Sequence, residues 1–169
     1  MSSEKPKELA RKLIVSGWIE PNAFVGCSDD EIKSLESHFS VQLPAYYQEI
    51  LKVMGKEDGG FLPQFTWTLK CLTGLTRDDA ERCSATHQFK LEPSWFIFAS
   101  DDCCFFFFDT LAGDDPPVVR WCDDDGFKKV FDTLSDWFAD IVNGSVEGWL
   151  EMQEAEARIA KRDAQKPVV

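Results

Sequence analysis

Long apolar runs are missing from this chain. The longest unbroken stretch, Cys103 to Phe108, covers six residues, whereas a membrane-spanning helix needs about 20, so no span is expected. The opening Met1-Ser2-Ser3-Glu4-Lys5-Pro6-Lys7 is charged and no apolar segment of signal-peptide type follows it, which predicts a cytosolic protein. Histidine is scarce, with only His38 and His87, and the cysteines show no Cys-x-x-Cys spacing. A zinc site needs such clusters, so no metal is expected. Neither common Gly-rich phosphate loop occurs, and no cofactor is expected. Positive charge is also short: 18 Lys and Arg stand against 30 Asp and Glu, for a net charge of −12. Such a surface repels phosphate backbones and anionic lipid, which excludes nucleic acid as a natural partner and favours a basic protein.

Aromatic residues are abundant: 14 Phe and 6 Trp occur among 169 residues. A chain of this length folds as one domain that buries roughly 70% of its extended surface, and each buried aromatic or aliphatic side chain adds about 1.5–3 kcal/mol. Stability needs no staple, so Cys27, Cys71, Cys83, Cys103, Cys104 and Cys122 are expected as buried, reduced thiols. The vicinal pair Cys103-Cys104 reads as core packing, because adjacent strand residues face opposite ways and no base lies nearby in sequence.

Residues 6–17 place Leu9, Ala10, Leu13 and Ile14 on one stripe, predicting an amphipathic helix that Gly17 ends. Ser28 stands three residues before Glu31, the spacing of a capping box, ahead of a helix burying Ile32, Leu35 and Phe39. Leu43-Pro44 opens a third helix with Tyr46, Tyr47, Ile50, Leu51 and Met54 on one face and Gly55 as its stop. The alternation of Phe65 to Lys70 predicts a half-exposed strand, and Thr76 to Phe89 a weakly amphipathic helix. The runs Trp95 to Ala99 and Cys103 to Phe108 predict strands covered on both faces, followed by a strand at Pro117 to Cys122 and, after the hairpin signal Asp125-Gly126, another at Phe127 to Phe131. Leu134, Trp137, Phe138, Ile141 and Val142 form a helical stripe stopped by Asn143-Gly144, and Ser145 opens a last helix over 145–162. Helices, then a strand meander, then helices give an α+β fold with a twisted, mainly antiparallel sheet over the single unit 1–169.

Gly26 to Glu36, followed by Leu43-Pro44-Ala45-Tyr46-Tyr47 and Gly55, resembles the entry motif of the SUKH superfamily, which includes the Smi/Knr cell-wall-assembly regulators. Phe98 to Asp101, Phe106 to Asp109, Val118-Val119 and Leu134 to Phe138 are similar to its later strands and closing helix, so the resemblance spans about residues 26–142. It departs at Asp102-Cys103-Cys104, where members often carry a glycine pair, and 66–92 lies outside the recognisable motifs. The resemblance implies a helix-flanked antiparallel sheet with no catalytic set. It further implies a protein-binding role, either as an immunity protein neutralising a cognate toxin, often a nuclease, or as a regulatory scaffold of Smi/Knr type.

Asp101, Asp102, Asp109, Asp114, Asp115, Asp123, Asp124 and Asp125 crowd one stretch opposed only by Arg120. They are the candidate contact surface for a basic partner, with Trp121 as an aromatic anchor. Turn chemistry accounts equally well for the patch and better for any single one of these aspartates. The Asp123-Asp124-Asp125-Gly126 run lacks the twelfth-position glutamate of a calcium loop. Paired carboxylates across a cleft would instead make the chain a hydrolase, a reading that requires a concave pocket with converging acids.

Overall fold

The computed structural model describes residues 4–73, 75–101 and 104–164. Helix α1 (Pro6–Val15) precedes a two-residue strand β1 (Phe24–Val25), then α2 (Asp29–Phe39) and α3 (Ala45–Met54). Strand β2 (Glu57–Asp58) pairs with β1, and α4 (Leu69–Leu72) and α5 (Leu75–His87) lead to four strands: β3 (Trp95–Asp101), β4 (Cys104–Asp109), β5 (Val118–Cys122) and β6 (Gly126–Phe131). These form an antiparallel meander in chain order, closed by α6 (Leu134–Ala164). The α+β class read from the element order is the one observed.

The early helices follow their local chemistry. Glu31 N–H donates to Ser28 Oγ at 3.2 Å while Ser28 N–H donates to the Glu31 carboxylate at 2.7 Å, a complete capping box. Tyr46, Tyr47, Ile50, Leu51 and Met54 are all buried on α3, and Gly55 caps it. Gly26 lies where no side chain fits: a Cβ there would stand 1.8 Å from the Lys52 carbonyl oxygen. The Cys27 N–H donates to the Leu51 carbonyl at 2.8 Å, and the Lys56 N–H to the Val25 carbonyl at 2.9 Å, seaming β1 to the end of α3.

The sheet is buried on two faces by two different sets of residues. Phe96, Phe98, Phe108 and Val118 join the main core with the residues of α1, α2, α3 and α6. Tyr47 sits at its centre, with ring centroids 5.7, 5.9 and 5.2 Å from Phe96, Phe98 and Phe108. On the other face Ile97, Phe105, Phe107 and Trp121 pack beneath Ala80 of α5, with Cys83, Phe89, Leu91 and Trp95 around them. Each central strand feeds both faces, which is why the runs are continuous and not alternating.

Three expectations are corrected. The strand expected over 65–70 does not form: Thr66 makes one bridge to Ser100, Trp67 turns inward to donate to the Asp58 carboxylate at 2.8 Å, and α4 begins at Leu69. Asn143-Gly144 does not stop the last helix, and α6 runs unbroken for 31 residues. Burial of Val142 before the pair, and the packing of Val146 after it, outweigh the roughly 1 kcal/mol that a mid-helix glycine costs against alanine, while Lys12 Nζ donates to Asn143 Oδ1 at 3.0 Å. Finally, Cys104 and Cys122 are not reduced thiols but a disulfide between directly opposed residues of β4 and β5, with Cα atoms 4.4 Å apart.

Candidate functional site

Register decides which aspartates meet. Asp101 pairs with Cys104 across the β3–β4 turn, and Cys122 pairs with Gly126 across the β5–β6 turn. Gly126 has φ +67°, the left-handed geometry that closes a three-residue hairpin loop. Because Cys104 is opposite Cys122 and bonded to it, Asp101 at the end of β3 and the β5–β6 turn lie at the same end of the sheet. Asp101, Asp123, Asp124 and Asp125 share that rim; Asp102 lies outside the described residues.

The rim is not uniformly negative. Asp125 accepts from Lys128 Nζ at 2.6 Å and from Arg120 Nη2 at 2.9 Å. The Lys128 hydrogen bond above all, with the Arg120 charge behind it, holds its carboxyl below the usual range. Asp123 lies 2.9 Å from His87 Nδ1, which ties the rim to the end of α5. Asp101 and Asp124 have no cation beside them among the described residues.

The other three aspartates are at the opposite end, about 20 Å away by strand length. Asp109 pairs with Trp95 and accepts the Leu111 N–H at 2.9 Å, a turn contact. The Asp114 carbonyl accepts the Tyr46 N–H at 3.1 Å. Asp115 accepts from Ser135 N–H at 2.8 Å and Ser135 Oγ at 2.6 Å, so it caps the first turn of α6. These side and main chains serve the fold.

Trp121 is no exposed anchor. It is 4% exposed, in ring contact with Phe89 at 4.4 Å and His87 at 5.2 Å, beneath the segment that follows α5. Strand alternation points it to the outer face of the sheet, and the residues that cover that face come from a stretch without recognisable motifs in the sequence. Phe127, 40% exposed, touches Phe89 and Trp95 and is the aromatic that reaches the surface there; its place opposite Trp121 in the β5–β6 register was the signal for it.

Among the described residues, Asp101, Asp123, Asp124 and Asp125 line neither of two grooves on the surface. A groove of about 650 Å³ lies between α2 and α4 and is lined by Asp30, Glu31, Leu35, His38, Lys56 and Lys70 among others. Sequence reading missed it because its walls are separated by more than twenty residues of chain; Lys56 is already paired there with Glu31 at 3.2 Å. A second groove of about 570 Å³ includes Asp114 but none of the other candidate aspartates. Among the described residues, no three His, Cys, Asp or Glu side chains gather as a metal would require, and no helix is long and apolar enough to cross a membrane.

A sheet packed on both faces, with helices around it and charged residues at its rim, defines an α+β domain. The model of the SMI1 / KNR4 family (SUKH-1) matches residues 26–140, and the chain belongs to that family. The match includes the stretch 66–92, whose α5 covers the outer sheet face. No curated protein matches the chain.

Proposed function

We propose that this protein is a non-catalytic binding domain that neutralises a cognate toxin, engaging a basic surface of that toxin with the rim formed by Asp101, Asp123 and Asp124. The observation that carries the reading is the Cys104–Cys122 bond at the end of a four-stranded sheet, which sets Asp101 at the end of β3 near the turn that carries Asp123 and Asp124. Charges held at the ends of paired strands bind with little ordering cost. Family membership supports a protein partner, and the net charge of −12 favours a cationic one. A nuclease domain, which must itself attract phosphate, offers such a surface.

Co-expression with the product of the adjacent open reading frame tests this. Rescue of growth, and a complex on gel filtration that weakens as salt rises, are expected. Reversing Asp123 and Asp124 to lysine should slow association by about ten-fold or more while leaving the fold intact. Absence of both rescue and complex refutes the toxin reading. A complex indifferent to salt and to these reversals moves the contact away from the rim.

A further inference from the structure

The second half of α6 leaves the body of the protein behind. Trp149 is its last inward anchor, stacked on Trp18 at 6.3 Å with its indole N–H donating to the Ser16 carbonyl at 3.2 Å. Residues 150–162 are exposed throughout. Leu150, Met152 and Ile159 are 47%, 43% and 52% exposed, although they are among the largest apolar side chains on the helix. A helical segment of about a dozen residues without tertiary support is marginal in water.

Two patterns on this segment point to what covers it. Met152, Ala155 and Ile159 follow one another at spacings of three and four, a narrow seam of the kind used between paired helices. Charge is segregated along the axis: Glu147, Glu151, Glu154 and Glu156 come first with no cation among them, and Arg158, Lys161 and Arg162 follow with no acid between them. The helix dipole favours that polarity only within the first and last turns, and these glutamates sit in mid-helix. Within the helix, Glu154 and Arg158 meet at 3.4 Å with both side chains 75% exposed, a weak contact that leaves the segregation in place.

We propose that this projecting half of α6 is a self-association surface, pairing antiparallel with the same segment of a second copy. About a two-fold axis near Ala155, Glu151 of one copy falls beside Arg158 of the other, and Glu147 beside the turn carrying Lys161. Met152 and Ile159 of both copies close the seam. A parallel pair would set glutamate against glutamate and cation against cation. The segment carries both halves of a complementary pattern, as a self-complementary two-fold interface requires. Two helices of this length bury an area at the low end for specific interfaces, so the dimer is weak and depends on concentration. This surface is separate from the acidic rim, and its test does not depend on the toxin reading.

Sedimentation of the full chain from about 5 μM to 1 mM tests the proposal across the range in which so small an interface assembles. A monomer–dimer equilibrium that shifts toward monomer as salt rises is expected. The variants Glu147→Lys/Glu151→Lys and Arg158→Glu/Lys161→Glu should each associate at least ten-fold more weakly, with unchanged circular dichroism. An equimolar mixture of the two should recover association as a one-to-one heterodimer. A wild-type chain that stays monomeric throughout overturns the proposal. So does a dimer untouched by either double reversal, or a mixture that fails to pair.

Discussion

Substituting Gly26 by alanine puts a single methyl group in the tightest place in the fold. The added Cβ would sit 1.8 Å from the Lys52 carbonyl oxygen and 2.5 Å from its carbonyl carbon. Both are backbone atoms, so no rotamer change relieves the contact, and β1 must move away from the end of α3 by more than 1 Å to restore an ordinary separation. That shift strains the two hydrogen bonds that seam these elements, Cys27 N–H to Leu51 O and Lys56 N–H to Val25 O. Two backbone bonds at about 0.5–1.5 kcal/mol each, with overpacking of about 1–3 kcal/mol, total roughly 2–6 kcal/mol. Against a stability of about 5–15 kcal/mol this is a large fraction. With a urea slope of roughly 1–3 kcal/mol/M, the unfolding midpoint should fall by about 0.7 M or more. Gly144→Ala and Gly148→Ala are the controls: both glycines lie within α6 and face open space, so each alanine should raise stability by up to about 1 kcal/mol. A Gly26→Ala protein within about 0.5 kcal/mol of wild type, the scatter of ordinary surface substitutions, would refute the close approach and with it the packing of β1 on α3.

Tyr47→Phe should be neutral or stabilising by about 1–2 kcal/mol in the same assay, because the Tyr47 hydroxyl is buried with no hydrogen-bond partner among the described residues. Asp115→Ala should cost about 1–2 kcal/mol by thermal or urea unfolding, since it removes both bonds that cap Ser135 and the start of α6. Reducing the Cys104–Cys122 bond, which closes a loop of 18 residues, should lower stability by at most about 3 kcal/mol, read as the midpoint difference with and without reductant. Burial, with the Glu31 charge adding to it, pushes the Cys27 thiol from its ordinary 9.0 up to about 11. The folded state therefore holds that proton longer than the unfolded chain. Its contribution is fully present below pH 9.0 and is lost as pH rises through about 11, so stability should decline across that window in wild type and less in Cys27→Ala.

Much of the fold was written in local pattern. The Ser28 to Glu31 box, the α3 stripe and the Phe-rich strands each specify their element through contacts within a few residues, and the meander follows from short turns. The departures arise where a distant contact overrides the local signal. Trp67 follows the Asp58 carboxylate instead of a strand partner, and Gly144 is carried through a helix by the burial of Val142 and the packing of Val146 on either side. For the acidic residues, composition revealed the charge but not the register. Only the pairing of Cys104 with Cys122 separates the aspartates that share a rim from Asp109, Asp114 and Asp115, which serve turns and a helix start. Trp121 looked available because its cover, Ala80 and Phe89, comes from a segment of weak amphipathicity.

The two apolar clusters on either side of the sheet have no residue in common. Replacement of side chains in the stretch around α5 and Phe89 therefore acts first on the smaller cluster, and the His87–Asp123 contact links that stretch to the β5–β6 turn. Such a layout leaves the outer face of the sheet free to change while the helical architecture beneath stays constant.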